Sequence, residues 1–253
     1  MATRQPPSRD AAPLLYRTLH KIVPPVLNAA FRPVVEGIEN VPERGPVILA
    51  SNHLSALDVV LMPSVLPRPV FFVAKSEYFR GPPRLFFQNV GVIPVPRRGG
   101  NAAERALRRG EEILQRGRVL GIYPEGTRSP DGRLHRGKTG PVRLALRTGA
   151  PIVPVAMLDT DGLVPPGKKL PRLKRVGVRF GTPLDLERYA PRADDRFALR
   201  SATDELMYEI MLLSGQEYVD EYAATVKAGG AAPEYDLQGD LTDDDPFALP
   251  KAS

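Results

Sequence analysis

Histidine is the side chain best suited to take a proton near neutral pH. One of the chain's histidines, His53, stands in the run Ser51-Asn52-His53-Leu54-Ser55-Ala56-Leu57-Asp58, directly after the apolar stretch Val47-Ile48-Leu49-Ala50. Asp58 can accept a hydrogen bond from one ring nitrogen, which fixes the tautomer and raises the basicity of the other. The pair would then be a general base with its orienting carboxylate. Helical neighbours lie three or four residues apart. A five-residue separation therefore works only if His53 sits on the turn before a helix. The same residues have a plainer reading. Ser55-x-x-Asp58 fits a capping box, with Asp58 closing the first helical turn and His53 a satisfied structural histidine.

Three further groups could handle a phosphate. Tyr123-Pro124-Glu125-Gly126-Thr127-Arg128 follows an apolar strand-like run. Gly126 permits close backbone approach, and Thr127 and Arg128 offer donors suited to phosphate oxygens. Glu125 would hold Arg128 or bind a substrate hydroxyl. The neighbouring Ser129-Pro130-Asp131-Gly132 is turn chemistry, so a simple surface turn is the alternative. In Gly91-Val92-Ile93-Pro94-Val95-Pro96-Arg97-Arg98 a strand would deliver two guanidinium groups, which suit planar bidentate contact with phosphate; a solvated basic turn is the rival reading. Lys75, at the end of another strand-like run, joins this set with a weaker signal.

The elements that must position these residues alternate. Strands are predicted at 46–50, 70–74, 92–95, 119–123, 152–156 and 176–180, and helices at 55–66, 78–90, 101–116, 138–148 and 195–213. Gly117 and Gly149 stand where helices should stop. This pattern predicts an α/β fold, a mixed, largely parallel sheet flanked by helices, over residues 35–228. Ligands of such sheets gather outside the carboxyl ends of the strands, where His53 is expected. Residues 14–34 place Leu15, Leu19, Ile22, Val23, Val26 and Leu27 at helical spacing, with Arg17, Lys21 and Arg32 off that face. Pro24-Pro25 is expected to split this segment. It reads equally as a helix packed on the domain or as a basic amphipathic hairpin in a lipid interface. Residues 1–13 and the acidic tail 229–253 read as disordered.

The formal net charge is +6. A basic protein tends to meet anionic partners: nucleic acid, acidic lipid surfaces or phosphorylated substrates. The chain has no cysteine, which excludes disulfides, thiolate metal sites and a cysteine nucleophile. The apolar stretch Val59 to Ala74 is broken by Pro63, Pro67, Arg68 and Pro69, too short to span a bilayer. The first residues lack the apolar core of a signal peptide. The expected address is the cytoplasm or the cytoplasmic face of the cell membrane, with peripheral attachment.

Taken in order, these blocks resemble the glycerolipid acyltransferases related to bacterial 1-acylglycerol-3-phosphate acyltransferase. Asn52-His53-x4-Asp58 is similar to that family's N-H-x4-D motif. Gly91 to Arg97 resembles its second block, whose closing arginine binds substrate phosphate, with Pro96 a departure where many relatives carry a polar residue. Tyr123 to Arg128 resembles the third, and Val153-Pro154-Val155 the fourth. The resemblance implies direct acyl transfer with no metal, no cofactor and no covalent acyl-enzyme. His53 would deprotonate the acceptor hydroxyl and Asp58 would orient it. Arg97 would hold the acceptor phosphate, with Glu125, Gly126 and Arg128 shaping the pocket. Acyl-CoA or acyl carrier protein would be the co-substrate, and membrane lipids the partners. The absence of a G-x-S-x-G nucleophile elbow agrees.

Two rivals remain at this stage: the same chemistry on glycerol 3-phosphate, another lysophospholipid or a glycolipid, and a non-catalytic adaptor for anionic membranes. Nucleic acid is not an expected partner, because aromatics are not interleaved with the basic residues.

Overall fold

The computed structural model describes residues 14–75, 92–95, 102–164 and 170–229. The description begins with α1 (Leu14–Phe31), β1 (Val34–Glu36), β2 (Val47–Ser51), α2 (Asp58–Ser64), β3 (Val70–Lys75) and β4 (Val92–Val95). It continues with α3 (Ala102–Gln115), β5 (Val119–Ile122), β6 (Leu134–His135), α4 (Gly140–Thr148), β7 (Ile152–Leu158) and β8 (Gly177–Phe180). The last elements are α5 (Arg196–Ser214), β9 (Tyr218–Val219) and α6 (Ala223–Lys227).

Strands β1-β8-β7-β2-β5-β3-β4, in that order, form one sheet. Every pairing is parallel except β7 with β8. β2 is central and wholly buried, as its unbroken apolar run requires. Its alternate residues feed two cores. Ile48 and Ala50 join Leu107, Leu114, Leu144, Leu206 and Ile210 of α3, α4 and α5 on one face. Val47 and Leu49 join Phe31, Leu61, Met62 and Leu66, from α1 and the region of α2, on the other. The period-two projection of a strand thus makes a three-layer domain from one sheet.

The helices stop where their chemistry dictates. Gly117, Gly149 and Gly215 take positive φ just past α3, α4 and α5, and Asp195 caps α5 by accepting from the Ala198 N–H at 2.9 Å. α2 is shorter than its apolar pattern suggests. Asp58 opens the helix, and its N–H donates to the Ser55 carbonyl at 3.1 Å, closing the turn that leads into it.

The expected break at Pro24-Pro25 is not what the structure has. α1 runs through both prolines. Each forfeits one backbone hydrogen bond, and packing offsets that loss: Leu27 and Ala30 lie against the core beside buried Phe31, and the Asn28 amide donates to the Ser64 carbonyl of α2 at 3.3 Å. The predicted helix 78–90 lies outside the described residues, as do the two terminal segments predicted to be disordered except for Gly229. The short pair β6–β9, edge strand β1 and α6 had no periodicity long enough to reveal them.

Candidate active site

The parallel strands β2, β3, β4, β5 and β7 all end at one edge of the sheet. His53 stands just beyond β2 and Tyr123 just beyond its neighbour β5, in the register that pairs Ala50 with Ile122. His53 lies on the turn before α2, as the five-residue spacing demands. Its Nδ1 is 2.9 Å from Asp58 Oδ2. The carboxylate only accepts, so Nδ1 carries the proton and Nε2 is the basic nitrogen.

Asp58 is fully buried. The same Oδ2 also accepts from the backbone N–H groups of Leu54 and Ser55, each at 2.8 Å. The bond to Ser55 is half of the anticipated capping box. Capping and histidine orientation are therefore one arrangement: the carboxylate that begins α2 also holds the imidazole. The ring of His53 stacks on Tyr123, with centroids 3.9 Å apart and planes 13° from parallel. Phe72 stacks behind Tyr123 at 5.7 Å. Burial, and after it the Asp58 charge, hold the Tyr123 phenol well above its usual pKa, so it stays neutral.

Glu125 was expected to hold Arg128 or a substrate hydroxyl. The structure gives it a different task. It is 1% exposed, and its two oxygens accept from backbone amides: the N–H of His53 at 3.1 Å and the N–H of His135 at 3.0 Å. It thus ties the histidine turn to the loop after β5. Burial pushes its carboxyl up to about 7, against the lowering effect of the two N–H groups and of Lys227. The Ser129 N–H adds a second tie, donating to the His53 carbonyl at 2.7 Å. Gly126 takes φ +70° with Lys138 close to where a Cβ would be. Thr127 Oγ1 accepts from Lys227 Nζ at 2.7 Å, and Lys227 also donates to the Arg128 carbonyl. Arg128 itself is exposed.

The structure brings His53, Asp58, Glu125, Gly126, Thr127 and Arg128 together. Lys75 ends β3 at the same sheet edge, and Arg97 lies outside the described residues. Sequence reasoning gave no task to Asn52. Its buried side chain donates to the Met157 carbonyl at 3.0 Å and accepts from the Met157 N–H at 2.7 Å, extending the β2–β7 ladder past Ser51. It also donates to Gln216 Oε1 at 2.6 Å, which links the site to the chain after α5. His135, fully buried, is held by Asp131 at 3.0 Å. Against the raising effect of burial, hydrogen bonds from His135 and Arg133 keep the Asp131 carboxyl well below its usual range. The signals for Asn52 were its place directly after a buried strand and at the head of the N-H-x4-D pattern; Lys227 and Gln216 gave none.

The chain that carries this histidine–aspartate pair has counterparts among known proteins. The chain belongs to the Acyltransferase family, whose model matches residues 32–158, half of the sequence. It is similar to the 1-acyl-sn-glycerol-3-phosphate acyltransferase of Borreliella burgdorferi, 34% identical over 138 residues, which cover 53% of this chain and 54% of that protein. It is also similar to the mouse (Mus musculus) 1-acyl-sn-glycerol-3-phosphate acyltransferase alpha, 29% identical over 78% of this chain and 70% of that one. Among solved structures it resembles the 1-acyl-sn-glycerophosphate acyltransferase PlsC of Thermotoga maritima, with TM-score 0.58 and 27% identity, covering 76% of this chain and 78% of that one. The chain spans about half the length of the Borreliella relative.

Proposed function

We propose that this protein transfers a fatty acyl group from an acyl thioester, acyl-CoA or acyl carrier protein, to the free hydroxyl of 1-acyl-glycerol-3-phosphate, giving phosphatidic acid. The observation that carries the reading is the 2.9 Å contact between His53 Nδ1 and Asp58 Oδ2 at the sheet edge. It leaves Nε2 to take the hydroxyl proton as the oxygen attacks the thioester carbonyl. The C–O bond forms, the tetrahedral centre collapses, the C–S bond breaks, and the imidazolium returns its proton to the departing thiolate. Asp58 stabilises the imidazolium meanwhile. Glu125 acts through His53 by fixing its backbone. Arg97 takes the acceptor phosphate in this reading, with Gly126, Thr127, Arg128 and Lys75 around it; the resemblance supplies that assignment. Relatives named for the same reaction support the acceptor.

No described helix is long and apolar enough to cross a membrane. The acceptor is a membrane lipid, and we place the protein on the surface of the bilayer, with the outer side of α1 as one contact. Ile22 and Val26 are 57% and 61% exposed there, next to exposed Lys21. The test is mass analysis of products after mixing the purified protein with labelled acyl-CoA and a panel of acceptors. Phosphatidic acid from 1-acyl-glycerol-3-phosphate, formed faster than any other product, is expected. Preferential acylation of glycerol 3-phosphate or a glycolipid would reassign the acceptor, and no product from any donor would leave an adaptor.

A further inference from the structure

The chain leaves β7 at Leu158 and returns at Gly177, its antiparallel partner in β8. β7 runs parallel to β2, with Ser51 opposite Val155. The connection therefore emerges at the same edge of the sheet as His53. Its described return limb reads Leu170-Pro171-Arg172-Leu173-Lys174-Arg175. Leu170 is 81% exposed and Leu173 72% exposed, and Arg172, Lys174 and Arg175 are exposed beside them. The limb is fastened at its base. The Arg172 N–H donates to the Leu163 carbonyl at 2.8 Å, and the Val176 N–H to the Phe31 carbonyl at the end of α1 at 3.3 Å. Lys174 pairs with Asp159 at 2.8 Å. Arg175 and Arg32, with Asn28 and Ser64, line a shallow groove toward α1, so positive charge continues from the limb to the helix.

Single exposed leucines are ordinary on a protein surface. Two within four residues, set among cations and pinned in place, are not spent on solvent. Nucleic acid would use the cations and leave the leucines wet. An anionic bilayer surface uses both, since the leucines enter the headgroup–acyl boundary while the guanidinium groups stay with the phosphates. We infer that this limb docks the protein on anionic membranes: Leu170 and Leu173 insert, Arg172 and Arg175 meet lipid phosphates, and the sheet edge bearing His53 is thereby turned to the bilayer. The inference rests on the proposed function in one respect, that the acceptor resides in that bilayer.

The experiment is co-sedimentation of the full chain with vesicles of phosphatidylcholine alone or with phosphatidylserine added. The unaltered protein should favour the anionic vesicles. The double variant Leu170→Ser/Leu173→Ser should bind them about tenfold or more weakly at any salt concentration. Arg172→Ala/Arg175→Ala should lose about fivefold per charge, an effect that fades in high salt. Melting temperatures should not move, because these side chains are exposed. With a short-chain, water-soluble lysophosphatidate the leucine variant should turn over normally, and with acceptor in vesicles it should be slowed. Vesicle binding unchanged in the leucine variant, or absent in the unaltered protein, would overturn the inference. So would a change in oligomeric state by light scattering with vesicle binding intact, which would make the limb a self-association surface. Lost vesicle binding in a chain that acylates nothing would sink the proposed function and leave the docking surface standing.

Discussion

At the scale of single residues, one carboxylate oxygen does two things. Asp58 Oδ2 fixes the turn that leads into α2 through the Leu54 and Ser55 N–H groups and holds the His53 imidazole. Asp58→Asn separates them. An asparagine oxygen still accepts from the backbone, so stability should change by about 1 kcal/mol or less in thermal unfolding. An amide cannot stabilise the imidazolium, so kcat should fall by roughly two or more orders of magnitude. Near-normal turnover would reduce Asp58 to a cap. Glu125 gives a pH signature. Its carboxyl is raised by burial from about 4.5 to about 7, so between those values the folded state holds a proton that the unfolded state has released. Its contribution to stability therefore falls as pH rises through that window, by roughly 3 kcal/mol in total, and is constant above it. Glu125→Gln mimics the protonated form. Its stability relative to the unaltered protein should rise from pH 4.5 to 7 and then level off, as followed by denaturant melts across pH. A difference that does not vary with pH would show that Glu125 titrates as an ordinary carboxyl.

At the scale of elements, the site depends on residues outside the motifs. β5 opposes β3 with Gly121 beside Phe72. A Cβ on Gly121 would lie 2.3 Å from the Phe72 ring, and that ring backs Tyr123, which backs His53. Gly121→Ala should cost about 1–3 kcal/mol in unfolding and lower kcat without a matching rise in donor KM. Unaltered kcat would show that the aromatic stack is not needed to hold the histidine. This dependence explains what the sequence could and could not convey. β2 was legible because an unbroken apolar run has one plain reading, and His53 because its spacing to Asp58 demanded a turn. The tasks of Asn52 and Glu125 were not legible because most of their partners are backbone groups distant in the chain, and backbone carries no sequence signal. β6 and β9 are two residues each, too short to show a period. The Pro24-Pro25 break failed for a third reason, since tertiary packing overrode a local rule.

At the scale of the whole molecule, a basic chain with an acidic end puts its chemistry at one edge of a three-layer domain. α1 serves two surfaces: Leu27, Ala30 and Phe31 face the core, while Ile22 and Val26 face outward. Removing the helix would confound folding with membrane contact. The informative change is Ile22→Ser/Val26→Ser. Vesicle binding should weaken about tenfold, from roughly 25 cal/mol per Å² of apolar area no longer inserted, with the melting temperature unmoved. Unchanged binding would assign α1 to packing alone. The breadth of the anionic-partner expectation narrows here too. The net charge of +6 admitted nucleic acid, lipid and phosphorylated substrates alike, and the placement of cations beside exposed leucines and at the histidine edge favours lipid.

The role of His53 as the base for acyl transfer is best tested by the paired measurement of kcat and melting temperature for His53→Ala. The side chain is 14% exposed and its removal leaves the backbone ties to Glu125 and Ser129 in place. A fall in kcat of about 10²–10⁴-fold or more is expected, with a cooperative unfolding transition close to that of the unaltered protein. A variant that is destabilised yet still transfers acyl groups at near-normal kcat would contradict that role.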